Sequence, residues 1–211
     1  MTMIVAVKWS NNIIMTADKR QTETDSCSGE LLKIKSDDYI KIKIIDNKYI
    51  VSFAGSTLIA EKAFELLNQN VDVLNLHSID PLGIFRDSFK YGKAHFQAVY
   101  PGIKPVSVFY VGFMRQHEPK LFGFSSDDDY SGLEIEELSV KLNSNSNGDA
   151  EKEAIRFISA EVLKRDHYYK NPRNFARLNF KAIKRADDEM IGKTAYSVVI
   201  SSDEIKEYHH N

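Results

Sequence analysis

The sequence predicts a single α+β domain over residues 1–211, an αββα sandwich in which two antiparallel sheets are flanked by pairs of helices. Apolar residues alternate through the first third, with turn residues between the runs, which is typical of hairpins. After Gly55 the apolar spacing becomes helical, and two helices, several strands, two more helices and a last strand follow. Strands and helices that occur in blocks favour separate layers of sheet and helix.

Two hairpins are predicted in the first third. Their strands are expected at Met3–Lys8, Ile13–Ala17, Tyr39–Ile45 and Tyr49–Ala54. Asn and Asp in the turns tolerate the positive φ of a tight hairpin. In the third of these strands isoleucines alternate with lysines, which predicts one apolar and one basic face. The polar run 23–30 is expected to form a surface excursion.

Four helices and four strands are predicted in the remainder. One helix follows a cap at Ser56, and the others are expected at Pro81–His95, Asp149–Lys164 and Arg173–Asp187. The strands are expected at Val106–Val111, Lys120–Phe124, Leu138–Leu142 and Thr194–Ile200. His209 and His210 then fall in a polar tail, which is expected to be disordered rather than metal-bound.

Composition narrows the classes of function. The formal net charge of −2 predicts no general attraction to nucleic acid or to anionic membranes. The single cysteine, Cys27, fits a reducing compartment, and the apolar run that Lys8 ends is too short for a signal peptide or a membrane span. The acidic segment 125–132 lacks the ligand spacing of a calcium loop. A cytoplasmic protein without a metal site is therefore expected.

Four short segments occur in a characteristic order. They are ThrMetIleValAlaValLys at 2–8, AspLysArgGlnThr at 18–22, TyrIleLysIle at 39–42 and ValSerPheAlaGlySer at 51–56. Together they resemble the proteasome β-subunits and the related bacterial ring peptidases, in which the mature chain opens with a threonine at the start of a strand. The resemblance covers most of the chain and is most specific in the first third. It implies the fold of the N-terminal-nucleophile hydrolases.

Thr2 matches the nucleophile of that family. If Met1 is removed, Thr2 carries a hydroxyl and a free α-amine, whose ordinary pKa of about 7.7–8.0 lets it accept the hydroxyl proton. By the same resemblance Asp18 is a buried acid that pairs with Lys41, and Lys41 lowers the pKa around the threonine hydroxyl. The backbone N–H of Gly55 would point at the oxyanion.

Simpler interpretations of three of these residues stay open at this point. Asp18 can be an ordinary residue at a strand end, and Lys41 a solvated charge like Lys43. Gly55 can simply allow the chain to turn into the first helix.

Two further residues match substrate-binding positions. Thr22, which follows Arg20 at the family's spacing, would hydrogen-bond an extended substrate through its backbone. Phe53 matches the floor of the primary specificity pocket. A ring at this position would narrow the pocket and favour substrates with small side chains.

The later part of the chain matches the family less completely. Ser146 is the best match to a serine that lies near the threonine amine in the family. Asp188 matches the aspartate of a family motif near the end of the chain, and Asp187 is the alternative. Gly192 matches the first of two glycines. Ile191 stands where the family has a serine, so the hydrogen-bond network around the amine is incomplete.

The resemblance implies a threonine peptidase without a metal or organic cofactor. Its substrates would be peptides or unfolded proteins, and its assembly would be a homo-oligomeric ring that an ATP-dependent unfoldase feeds. Two alternatives stay open. A catalytically silent ring subunit is favoured by Ile191, and a small-molecule amidase of the same nucleophile class is disfavoured by Thr22.

Overall fold

In the computed structural model the chain is a mixed α+β protein with antiparallel sheets. The structure describes residues 2–25, 30–76, 79–136, 138–142 and 149–211. Within these ranges the strands are β1 (Met3–Trp9), β2 (Asn12–Asp18), β3 (Gln21–Thr24), β4 (Leu31–Ser36), β5 (Ile42–Ile45), β6 (Tyr49–Gly55), β7 (Ser107–Arg115), β8 (Glu118–Ser125), β9 (Leu133–Glu134), β10 (Leu138–Leu142), β11 (Ala195–Ile200) and β12 (Ile205–His210). The helices are α1 (Thr57–Gln69), α2 (Val71–Leu74), α3 (Pro81–Val99), α4 (Asp149–Lys164), α5 (Asp166–Tyr169) and α6 (Pro172–Arg185), with a 3-10 turn at Ser126–Asp128.

The strands form two five-stranded sheets and a separate hairpin. The first sheet has the order β10-β1-β2-β11-β12, the second has the order β5-β6-β7-β8-β9, and β3 pairs with β4 alone. All neighbouring strands are antiparallel. The register of the first sheet sets Asp18 opposite Ala195 and Ile4 opposite Ala17, so the end of β2 lies beside the beginning of β1.

Alternate residues of β1 contribute to two different hydrophobic clusters. Met3, Val5 and Val7 pack with residues of α4, α5 and α6. Ile4 and Ala6 belong to a cluster that also contains residues of the second sheet. This alternation follows from the two-residue period of a strand, and it gives the first sheet two buried faces.

A third cluster joins the second sheet to α1, α2 and α3, and it is rich in aromatic rings. The rings of Phe89 and Phe109 stack with their centroids 3.9 Å apart, and the ring of Phe124 meets Phe89 edge-on at 5.2 Å. Gly92 lets α3 approach α1 closely, because a Cβ there would lie 2.2 Å from the carbonyl oxygen of Ile59. Large rings and one close backbone approach thus hold these helices on the sheet.

The long helices α3 and α6 begin with the same local chemistry. Asp80 accepts a hydrogen bond from the Leu82 N–H, and Asn171 accepts one from the Arg173 N–H. A proline follows each cap, where its missing N–H costs no helical hydrogen bond. Within the described residues no helix is both long and apolar enough to cross a bilayer.

The expected disordered tail is wrong, because residues 205–210 form β12 and pair with β11. The imidazole Nε2 of His210 lies 2.8 Å from the Ser197 Oγ, and its ring stacks on Phe180. The hairpin β3–β4, with Thr22 opposite Ile34, was not predicted, and the expected polar excursion at 23–30 includes only the last two residues of β3. Cys27 lies outside the described residues.

Candidate active site

The Asp18 carboxylate is the centre of a buried polar cluster at the end of β2. Its side chain is fully buried. Oδ1 accepts a hydrogen bond from the Met3 N–H at 2.8 Å, and Oδ2 accepts from the N–H groups of Arg20 at 3.0 Å and Gly192 at 3.1 Å. Several donors of this kind hold a carboxylate in one orientation.

Lys41, the residue before β5, completes the cluster from the second sheet. Its Nζ donates to both carboxylate oxygens of Asp18 at 3.0 Å, and its side chain is 3% exposed. Burial lowers the pKa of Lys41, because it removes water from the ammonium group, and the charge of Asp18 opposes this shift. The interpretation of Lys41 as a solvated charge is therefore wrong, whereas Lys43 is exposed.

Thr2 is placed next to this ion pair by the chain itself. Met3, whose N–H binds Asp18, follows Thr2 directly, and the Thr2 residue is 3% exposed. The strand β1 begins at Met3, so the peptide group between Thr2 and Met3 is fixed by both the sheet and the carboxylate. Met1 lies outside the described residues.

The strand β6 brings Gly55 to the same end of the molecule. The Phe53 N–H donates to the Lys41 carbonyl oxygen at 3.1 Å, and Gly55 lies two residues further along, which is about 7 Å in a strand. Gly55 has φ of +106°, and a Cβ there would lie 2.1 Å from the Val106 carbonyl oxygen. Only glycine fits this position, where the backbone leaves the strand for α1.

The two predicted substrate-binding residues lie in different sheets. The Phe53 ring is buried in the aromatic cluster of the second sheet, where it meets Tyr39 edge-on at 6.1 Å and Phe64 at 5.9 Å. Thr22 is half-buried in β3, two residues beyond Arg20. A pocket floor at Phe53 and a substrate contact at Thr22 stay predictions.

The turn that follows α6 delivers one donor to the cluster. The Asp188 carboxylate accepts from the Met190 N–H at 2.8 Å, and the Asp188 carbonyl oxygen accepts from the Ile191 N–H at 3.1 Å. Ile191 is fully buried among the residues between the first sheet and the helices. Asp188 thus shapes the turn that places Gly192 on Asp18, and its action on the Thr2 amine stays a prediction. The alternative acid, Asp187, is exposed.

The Arg20 side chain links this turn to Asp37. Its guanidinium binds the Asp37 carboxylate at 2.6 and 3.2 Å and the carbonyl oxygen of Glu189 at 2.6 Å. The hydrogen bond with Arg20 lowers the pKa of Asp37, and the same hydrogen bond raises the pKa of Arg20. A Cβ on Gly192 would lie 3.0 Å from the Arg20 Cβ and backbone nitrogen, so glycine permits this close approach.

Sequence reasoning missed three donors of the cluster, the backbone N–H groups of Met3, Arg20 and Gly192. No side chain signals these contacts, since the donor is the peptide group. The contact of Gly192 could have been inferred from the sequence, because a glycine in a polar turn often marks a close backbone approach. Ser146 lies outside the described residues. Across the described ranges no group of three His, Cys, Asp or Glu side chains is arranged to hold a metal ion.

Comparison with known proteins identifies no family. The sequence matches no protein-family model and no curated protein.

Proposed function

We propose that this protein is an N-terminal-threonine peptidase with the four-layer αββα fold of the N-terminal-nucleophile hydrolases. The observation that carries the proposal is the fully buried Asp18–Lys41 pair, bonded to the amide that directly follows Thr2. The layer order is supported by the three clusters, which join helices to the first sheet, one sheet to the other, and the second sheet to helices.

The proposed reaction begins with removal of Met1. The Thr2 hydroxyl transfers its proton to the freed α-amine, and its oxygen attacks the carbonyl carbon of a peptide bond. The amine returns the proton to the leaving nitrogen as the peptide C–N bond breaks, which leaves an ester on Thr2. Water then attacks the ester and releases the acid, restoring the hydroxyl.

Lys41 stabilises the negative charge that develops on the Thr2 oxygen, since it is a desolvated cation fixed by Asp18. The Gly55 N–H is the proposed donor to the oxyanion, and one such donor contributes about 3 kcal/mol to the transition state. Gly55 suits this role because glycine has no side chain of its own to cover the N–H.

The proposed substrate is an extended peptide or unfolded protein, bound along Thr22 with a side chain directed toward Phe53. Such a site is enclosed in a homo-oligomeric ring in the family that the sequence resembles, and an ATP-dependent unfoldase would feed it in the cytoplasm. The chemistry requires no metal or organic cofactor and no nucleic acid or membrane.

A catalytically silent subunit of the same fold is the second candidate. The buried Ile191 favours it, because the position that would supply a hydroxyl to the threonine amine is used for packing instead. A small-molecule amidase is the third, and it differs in preferring simple amides to peptides.

The intact mass of the protein, before and after treatment with a threonine-reactive β-lactone, tests the proposal. We expect loss of Met1 and one adduct, and Thr2→Ala is expected to abolish the adduct and the hydrolysis of peptides. Retention of Met1 on every chain, without an adduct, would contradict the peptidase proposal and favour the silent subunit. Faster hydrolysis of simple amides than of peptides would favour the amidase.

A further inference from the structure

The outer face of α6 carries a row of unpaired positive charges. Five side chains on it are exposed cations: Arg173, Arg177, Lys181, Lys184 and Arg185. At 100° per residue they occupy an arc of about 120°, and the buried residues of α6 occupy the opposite side. The only other residue within that arc is Asn174. The helix has no acidic residue.

These cations are not used in ion pairs within the described part of the chain, where the salt bridges involve other lysines and arginines. Three of them lie over aromatic rings instead. The Arg173 guanidinium is 5.9 Å from the Tyr208 ring centroid, and the Arg185 guanidinium is 4.6 Å from that of Phe157. Lys184 lies 5.5 Å from the Phe180 centroid. The rings fix the cations in place without neutralising them.

The arrangement does not serve the stability of the helix. Like charges four residues apart repel each other on a helix surface, and Arg173, Arg177, Lys181 and Arg185 form three such steps. Arg173 also lies in the first turn, where the helix dipole disfavours a cation, although Lys184 and Arg185 in the last turn are favoured. A row that opposes folding in this way is accounted for by an external anion.

We propose that the outer face of α6 docks an acidic segment of a partner protein. The row is about 18 Å long, with steps of about 6 Å, which is the spacing of carboxylates at every fourth position of a helix. The remainder of the chain has 23 lysines and arginines against 30 aspartates and glutamates. The positive charge that attracts an acidic segment is therefore concentrated on this face. A short acidic segment can match it without touching the negative remainder.

Nucleic acid fits this face less well. A polyanion that follows the row would continue beyond the helix onto surface of net negative charge. Binding of single strands also uses open aromatic faces for base stacking, whereas Phe157, Phe180 and Tyr208 are half-buried beneath cations. An anionic membrane fits less well too, since no apolar side chain lies between the cations to enter a bilayer.

The test measures binding of a labelled alanine-based helical peptide with glutamate at every fourth position. We expect saturable binding that weakens with salt and falls about tenfold or more in Arg177→Glu/Lys181→Glu. The control Lys33→Glu/Lys104→Glu has the same change in charge on exposed lysines elsewhere, and it should bind as the unmodified protein does. Circular dichroism checks folding, and Arg177→Gln/Lys181→Gln replaces the reversal variant if that variant does not fold.

Three results would overturn the proposal: no saturable binding of the peptide at low ionic strength, equal loss in the two charge-reversed variants, or tighter binding of oligouridylate or phosphatidylserine vesicles than of the peptide. None of these outcomes depends on Thr2 chemistry, so the docking face and the peptidase proposal are tested separately.

Discussion

Two buried polar clusters share the strand β2, and their chemistry differs. Asp18, at its end, is an ionised group held by a cation and three amides. Thr16, two residues earlier, is the centre of a neutral chain. Its Oγ1 lies 2.8 Å from the Ser197 Oγ, which lies 2.8 Å from the His210 Nε2, and Asn179 donates to Thr16 at 3.3 Å.

The difference separates a cluster that links the elements of the sheet from one that the proposed chemistry would use. The neutral chain links β2, β11, β12 and α6 through groups that need little desolvation. The charged pair requires the removal of water from two ions, which packing of apolar residues would avoid. Its position beside Thr2 gives a reason for this cost, since a fixed, desolvated ammonium is useful to a nucleophile.

Asp18→Ala is expected to have the largest effect on stability. It leaves the Lys41 ammonium and three backbone N–H groups buried without their acceptor. The free energy of unfolding should therefore fall by more than about 5 kcal/mol. Urea unfolding measures it, with Thr16→Ala as the matched change in the neutral cluster. Equal losses in the two variants would contradict the distinction between the clusters.

Lys41→Met is expected to lower the free energy of unfolding by about 3–5 kcal/mol, because the shape of the side chain is kept while the Asp18 carboxylate loses its cation. The three backbone donors remain, so the loss should be smaller than in Asp18→Ala. Unfolding by urea gives the stability, and β-lactone labelling of the same sample gives the reactivity of Thr2. Full labelling of a folded Lys41→Met protein would show that the ammonium has no role at the nucleophile.

The neutral cluster is expected to respond to pH through His210. Burial, with the nearby charges of Arg177 and His209, lowers the pKa of His210 from its ordinary value of 6.5 to about 4. The unfolded chain therefore binds the proton first, so this contribution to stability is complete above pH 6.5 and is lost as the pH falls toward 4.

NMR titration of the imidazole, together with unfolding between pH 7 and 5, measures this effect. His210→Gln keeps a hydrogen-bonding group near Ser197 and should flatten that part of the pH dependence. A His210 resonance that titrates near 6.5 would contradict the buried neutral imidazole.

Thr16→Val is expected to have the smallest effect, about 1 kcal/mol, since it removes neutral hydrogen bonds and keeps the volume of the side chain. Among the described residues the buried Oδ1 of Asn179 has no hydrogen-bond partner, and Asn179 would lose the partner of its Nδ2 as well. Thermal unfolding measures the change. A loss as large as that of Lys41→Met would show that the neutral chain, too, is essential to the fold.

Local periodicity alone predicted much of the fold. The helix α4 has the predicted bounds, Asp149–Lys164, and the hairpins β1–β2 and β5–β6 lie where alternation and turn residues place them. In α4 and β5–β6 the apolar and polar faces are encoded by neighbouring residues, and in β1–β2 short apolar runs are bounded by turn residues, so each pattern is complete within a short window.

Other parts of the fold depend on pairing that their own residues do not indicate. The polar residues of β12 form a strand because β11 supplies an edge, and Ser197 and Phe180 supply partners for His210. The residues of Gln21–Thr24 show little apolar alternation, and their strand exists through pairing with β4. The pattern of these polar residues does not predict a strand, because what stabilises it is the neighbouring strand and the side chains packed on it.

For the candidate site, the sequence by itself determined which side chains meet, since resemblance paired Asp18 with Lys41 and placed Thr2 at the start of a strand. Only the tertiary structure decided how completely the pair is buried and that the backbone amides of Met3 and Gly192 hold it. Side-chain identity carries the chemistry of a residue, whereas burial and backbone donors arise where separate segments of the chain come together.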